Sequence, residues 1–153
     1  MKKINNFIYF AITLLLLSFA NFYTSSIIIN NLKRGFIFDS PILNLTYAKN
    51  TGAAFSILSN SNDFLAYFSI LVIFIIFLYL VKNIDKTSQK FLLLLSFLTS
   101  GVFGNLYERL TYGYVRDFFE LTFIDFPIFN ISDVYITIAV IGLIISIIFT
   151  RKL

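Results

Sequence analysis

Hydrophobic positions along the chain gather into four long blocks, separated by shorter polar stretches. The first runs from about Ile4 to Ile29 and is interrupted by the polar piece "SFANFYTSS" that starts at Ser18. The second is "FLAYFSILVIFIIFLYLV", Phe64–Val81, the third "FLLLLSFLTSGVFGNL", Phe91–Leu106, and the fourth Val134–Thr150. A helix needs about 20 apolar residues to cross a hydrocarbon core, with a range of about 17 to 25. The third block is short and is expected to continue through Tyr107–Arg109. None of the blocks shows the period-two alternation of a membrane barrel. Any one alone would also suit a buried core helix. Four in 153 residues predict an all-α membrane protein instead: a four-transmembrane-helix bundle, one integral-membrane domain over 1–153, with spans at about 4–29, 64–81, 91–109 and 134–150.

The opening "MKKINNFIYFAITLLLLSFA" has the basic start and apolar stretch of a cleavable signal peptide. The apolar run resumes at Ile27 and no A-x-A site closes it, so it reads as a retained helix. Lys2 and Lys3 precede the first span, Lys82, Lys86 and Lys90 lie between the second and third, and Arg151 and Lys152 follow the fourth. With four spans all of these fall on one side, which the positive-inside rule makes the cytoplasm. Both termini are therefore expected there, and residues 31–62 and 107–133 on the outer face. Residues 31–62 include "PILNLTYAKNTGAAFSIL". Its Thr, Tyr and apolar pieces flank a Gly-Ala turn, which predicts a small extracytoplasmic β-sheet element from residues 31–62, resting on the membrane.

Composition narrows the chemistry. The chain is 58% hydrophobic and 13% charged, with a mean hydropathy of +0.85, far from the balance of a soluble domain. The net charge of +4 comes from basic residues beside apolar runs, a topology signal that gives no reason to expect a nucleic-acid partner. There is no Cys and no His. That removes thiol nucleophiles, the usual general base and the commonest metal ligands, so neither a metal nor another cofactor is expected. A Ser–Lys dyad finds no Lys near a Ser within a span, and there is no G-x-S-x-G turn.

Polar side chains within spans commonly face a bundle interior and are functional candidates. Asn21 and Ser25 lie four apart on one face of the first span, and Gly101, Asn105 and Arg109 step by four along the end of the third. Gly104 beside them admits a second backbone. Asn105 also suits simple helix–helix contact, and Arg109 a phosphate anchor. Asp133 follows a Ser at the lip of the last span, where it would serve as a helix N-cap. Asp117 alone would be a loop acid. Together, near one membrane boundary, they form the remaining catalytic apparatus. Two close carboxyls share a proton; one activates water and the other donates to a scissile carbonyl. The pair also fits a small transporter or channel subunit that binds a cation or proton, and Asp133 as a mere cap fits a structural subunit. Transport acids tend to lie near the bilayer midplane, whereas both aspartates are expected at span ends.

Four short stretches, in order and set between four spans, resemble lipoprotein signal peptidase (signal peptidase II), a bacterial integral-membrane aspartyl protease family. They are "NTGAAFS" at Asn50–Ser56, "SGVFGN" leading into "LYER" at Ser100–Arg109, "VRDF" at Val115–Phe118, and "FNISD" at Phe129–Asp133. The resemblance implies that Asp117 and Asp133 form a catalytic dyad. It implies that Asn50, Gly52, Asn105, Arg109 and Asn130 line or support the substrate site, and Gly101 belongs to the same motif. It further implies a metal-free aspartic endopeptidase, acting in the bacterial cytoplasmic (inner) membrane with its site at the outer face. Its partners would be membrane lipid and lipid-modified prolipoproteins, cut just before a diacylglyceryl-bearing cysteine, and it would act as a monomer. The chain departs from the family at several points. Asn21 and Ser25 stand where the family commonly has D-x-x-T-K in the first span, Glu108 where an Asp precedes the arginine, Ser100 in place of a Gly, and Ser132 in place of an Ala.

Overall fold

A computed structural model describes residues 1–52 and 61–150. The elements follow in the order α1 (Lys2–Lys33), β1 (Leu43–Asn50), α2 (Asn62–Asn83), α3 (Gln89–Tyr112), β2 (Val115–Leu121) and α4 (Ile131–Thr150). All four helices are long and apolar enough to cross a membrane. The polar stretch from Ser18 does not interrupt α1, which is continuous over 32 residues, about 48 Å at 1.5 Å per residue. That exceeds a hydrocarbon core of about 30 Å, so α1 reaches beyond it.

α3 is the least apolar of the four and yet the centre of the bundle. In its apolar window 56% of residues are buried, against 11% for α1, 22% for α2 and 11% for α4. α1, α2 and α4 each pack on it. Large apolar side chains such as Leu15, Phe19, Phe77 and Ile148 stay exposed on the outer helices, which only a lipid solvent leaves without penalty. One end of the bundle closes on Phe10, Ile76, Leu80, Ile84, Leu92 and Leu95. There Asn6 Nδ2 donates to the carbonyls of Ile84 (2.6 Å) and Thr87 (3.0 Å), tying α1 to the turn after α2.

Hydroxyls stitch α1 to α3 further along: Thr13 Oγ1 lies 2.8 Å from Ser96 Oγ, and Ser18 Oγ donates to Ser100 Oγ at 3.2 Å. α4 meets α3 where the latter lacks side chains. A Cβ at Gly101 would strike the Ser132 carbonyl and Ile136, and one at Gly104 would strike Ser132 Oγ and Asn21 Nδ2. Small residues of this kind let membrane helices approach closely.

The expected small sheet is present, with one strand where 31–62 placed it and its partner elsewhere. β1 pairs antiparallel with β2, which follows α3, and the ladder has an irregularity between Leu45 and Ala48. The 53–56 part of "NTGAAFS" and the basic Arg151 and Lys152 lie outside the described residues. The sheet lies at the end of the bundle opposite the Phe10 cluster, beside the last turn of α3 and the first of α4.

Candidate active site

α3 ends at Gly113, whose φ of 78° and N–H bond to the Arg109 carbonyl (3.0 Å) form a left-handed cap. Such a cap suits Gly because it lacks a Cβ. The chain reverses there and enters β2 at Val115, which brings Asp117 back over the last turn of α3. Asp117 is 1% exposed. Asn50 sits diagonally across the ladder, since Ala48 pairs with Asp117 and Asn50 with Val115. Its Nδ2 donates to Asp117 Oδ2 at 3.0 Å, and its Oδ1 accepts from Gly52 N at 2.9 Å.

α4 begins at Ile131, and Asn130 occupies the cap: its carbonyl accepts the first helical bond, from Val134 N. Asp133 is therefore not the N-cap that Ser-Asp spelled out; it is the third residue of the first turn. Asp133 N donates to Asn130 Oδ1 at 3.1 Å, and Asn130 N donates to Asp133 Oδ2 at 3.0 Å. This reciprocal pair is a capping box with an acid at its third position, and the N-I-S-D spacing carries that signal.

Asn130 also joins the two acids. Its Nδ2 donates to Asp117 Oδ1 at 2.8 Å and to Asn105 Oδ1 at 3.1 Å. Asn105 Nδ2 donates in turn to Asp133 Oδ1 at 2.8 Å. All four carboxylate oxygens thus accept from amides or from a backbone N–H, and a single asparagine touches both acids. Arg109, 8% exposed, donates from Nη2 to the Gly52 carbonyl (3.0 Å) and from Nη1 to the Asn105 carbonyl (3.3 Å). It holds the turn after β1 against α3, and among the described residues its Nε has no hydrogen-bond partner.

Burial pushes the Asp117 carboxyl up to about 7, and the negative charge of Asp133 adds to the rise; the Asn50 and Asn130 bonds and nearby Arg109 oppose it. Asp133 is partly open. It lines a cleft of about 500 Å³ together with Asn50, Phe126, Phe129, Ile136 and Thr137. Asp117 is thus the more buried acid, and Asp133 faces a mainly apolar cleft.

Asn50, Gly52, Asn105, Arg109, Asn130, Asp117 and Asp133 therefore form one connected cluster, and Gly101 sits a turn below, where α3 meets α4. Sequence reasoning gave Ser132 no partner and did not find the Glu108–Arg116 contact. Asn21 Nδ2 donates to Ser132 Oγ at 2.8 Å, and Ser25 Oγ to Asn21 Oδ1 at 3.3 Å. These departures from the family pattern make one neutral hydrogen-bonded group. Glu108 forms a two-point ion pair with Arg116, both bonds 2.6 Å.

The lipoprotein signal peptidase of Streptococcus thermophilus strain CNRZ 1066 is 44% identical over 104 residues, 68% of this chain and 67% of that protein. That of Streptococcus agalactiae serotype Ia is 44% identical over 105 residues, 69% and 68% of the two chains. Two solved structures, each described as a bacterial membrane enzyme, superimpose closely. One has a TM-score of 0.82 at 29% identity, covering 93% of this chain and 88% of its own. The other has a TM-score of 0.77 at 30% identity, covering 90% and 91%. The family described as signal peptidase (SPase) II matches residues 9–149. A match that runs from α1 to the end of α4 means that this chain belongs to the signal peptidase II family.

Proposed function

We propose that the protein is an aspartic endopeptidase that removes signal peptides from prolipoproteins, cutting just before the diacylglyceryl-modified cysteine, with Asp117 and Asp133 as its dyad. The observation that carries this reading is Asn130, which bonds both carboxyls at once beside an apolar cleft. Two acids so coupled share one proton near neutral pH. The negative charge is better held by Asp133, because the N-terminus of α4 favours an anion there. Asp117, raised to about 7, keeps the proton.

Asp133 takes a proton from water as the water oxygen attacks the scissile carbonyl carbon. Asp117 donates a hydrogen bond to the carbonyl oxygen as negative charge develops there. The tetrahedral intermediate collapses, the C–N bond breaks, and the proton held by Asp133 passes to the leaving nitrogen. Asn50, Asn105 and Asn130 orient the two carboxyls. Arg109 fixes the Gly52 turn. The cleft along α4 lets the lipid stay in the bilayer while the peptide bond meets water. The basic residues around Lys2, Lys3, Lys82 and Lys86 support cytoplasmic termini in a multi-pass inner-membrane protein, with the site at the outer face, in one domain acting as a monomer. The transporter alternative is disfavoured, because both acids lie at one end of the bundle.

Purified protein incubated with a precursor peptide, with and without diacylglycerol on its cysteine, tests the reading. Cleavage before the modified cysteine, undiminished by EDTA, is expected. Equal cleavage of the unmodified peptide would remove the lipid requirement. Loss in EDTA restored by a divalent metal would contradict a mechanism built on carboxylates alone.

A further inference from the structure

We propose that the Glu108–Arg116 ion pair fixes the register of β2 and so sets Asp117 in place, which makes both residues positioning residues for the peptidase reaction. The proposal rests on the aspartyl reading above. Arg116 Nε donates to Glu108 Oε2 and Nη2 to Glu108 Oε1, each at 2.6 Å. This is the parallel fork that only Arg can present to a carboxylate. The two side chains are 14% and 11% exposed, so solvent screens them little. The Tyr112 ring closes one face of the guanidinium, with Cζ 3.9 Å from the ring centre.

Position gives the pair its consequence. Glu108 precedes Arg109 in α3, and Arg116 precedes Asp117 in β2. The pair therefore clamps the two arms of the Gly113 reversal one residue away from the site on each arm. A clamp is needed because the sheet has two strands among the described residues, and such a ladder is marginal by itself. Its register breaks between Leu45 and Ala48, immediately before the Ala48–Asp117 pair. A slip of one residue would send Asp117 to the opposite face. After Asp117 the strand is held by Phe129, whose carbonyl accepts from Phe118 N (3.0 Å) and Phe119 N (2.8 Å). Before Asp117 the strand is held, among the described residues, by the short ladder segment Val115–Arg116, by the ion pair and by the Tyr112 contact of Arg116. Side chains alternate along a strand, so Arg116 points away from Asp117 and acts on it through the backbone.

The test uses the full-length protein and the lipidated precursor peptide, with folding followed by thermal melting in detergent. Arg116→Lys keeps the charge and loses the fork; Glu108→Gln keeps the shape and loses the charge. Each should lower kcat by about tenfold or more, as small misplacements at a reacting centre do, with KM held within about twofold. The double variant Glu108→Gln/Arg116→Gln should be no slower than the slower single, since the two residues act as one device. A displaced Asp117 loses its Asn50 and Asn130 bonds, so the alkaline limb of the pH–rate profile should move to higher pH. A merely structural pair would leave that limb unmoved. Wild-type kcat in Arg116→Lys, additive losses in the double variant, or reduced kcat with an unmoved limb would overturn the proposal. So would failure of Arg116→Lys to melt cooperatively, which would make the pair a requirement of the fold. Asp117→Asn, run alongside, separates the two readings. Undiminished cleavage by that variant sinks the dyad, whereas its inactivity beside wild-type Arg116→Lys sinks only the positioning role.

Discussion

Replacing Asn130 separates two jobs that one side chain performs. Asn130→Ala removes the cap of α4, worth about 0.5–2 kcal/mol. It also removes the bond to Asp117 Oδ1, worth about 0.5–1.5 kcal/mol, and leaves Asn105 Oδ1 without its donor. These terms overlap, and a net loss of about 3 kcal/mol in reversible unfolding by denaturing detergent is expected. Both carboxyls lose a fixed support, so kcat should fall about a hundredfold. The lost bond is one that holds the Asp117 value down, so the alkaline limb of the profile should move up from about 7. Asn130→Ser is the discriminating partner: Ser caps nearly as well as Asn but is too short to reach Asp117. It should recover about 1 kcal/mol of the stability and none of the rate. Cleavage at the wild-type rate by Asn130→Ser would refute the idea that this residue couples the acids.

Arg109→Lys keeps the charge but cannot hold the Gly52 and Asn105 carbonyls with one planar group; turnover should fall about a hundredfold at a similar melting temperature, and unchanged turnover would make Arg109 a lipid anchor. Gly104→Ala places a methyl against Ser132 Oγ and Asn21 Nδ2 and should destabilise by about 1–3 kcal/mol, which Gly104→Ala/Ser132→Ala should partly relieve in melting experiments. Because Asp117 is raised from 3.8 to about 7, the folded state binds its proton more tightly than the unfolded chain. Its charge therefore costs nothing below about pH 4 and progressively more as pH rises towards 7. Asp117→Asn should accordingly gain stability relative to wild type between pH 5 and 8, by up to about 4 kcal/mol, and melting curves that run parallel across that range would contradict the burial argument.

The spans were legible because hydropathy over twenty residues is a strong signal, and the two acids stood out because the chain lacks His and Cys. The second strand was not legible. "VRDFFEL" at Val115–Leu121 mixes charge with aromatics, and its partner lies more than sixty residues upstream, a distance at which periodicity carries no pairing information. Ser-Asp before an apolar run also has the chemistry of an N-cap at Asp133, beside its expected place in the dyad. The reciprocal bond with Asn130 moved the helix start back to Ile131, and only the N-x-x-D spacing hinted at it. The shared face of Asn21 and Ser25 followed from helical spacing, and they do bond. Ser132 as the partner of Asn21 did not follow, since it depends on how α1 and α4 meet across Gly104. The Glu108–Arg116 contact crosses a reversed turn, where neither helical nor strand spacing applies.

Asp117 and Asp133 are proposed to carry out the cleavage together. Single-turnover cleavage of the lipidated precursor by Asp117→Asn and by Asp133→Asn tests it most directly, with each variant first shown to melt cooperatively. Asn keeps the shape of the side chain at both positions, and at Asp133 its oxygen can still accept from Asn130 N, so the fold should survive. Neither variant should form detectable product. Product formation at the wild-type rate by either one would contradict it.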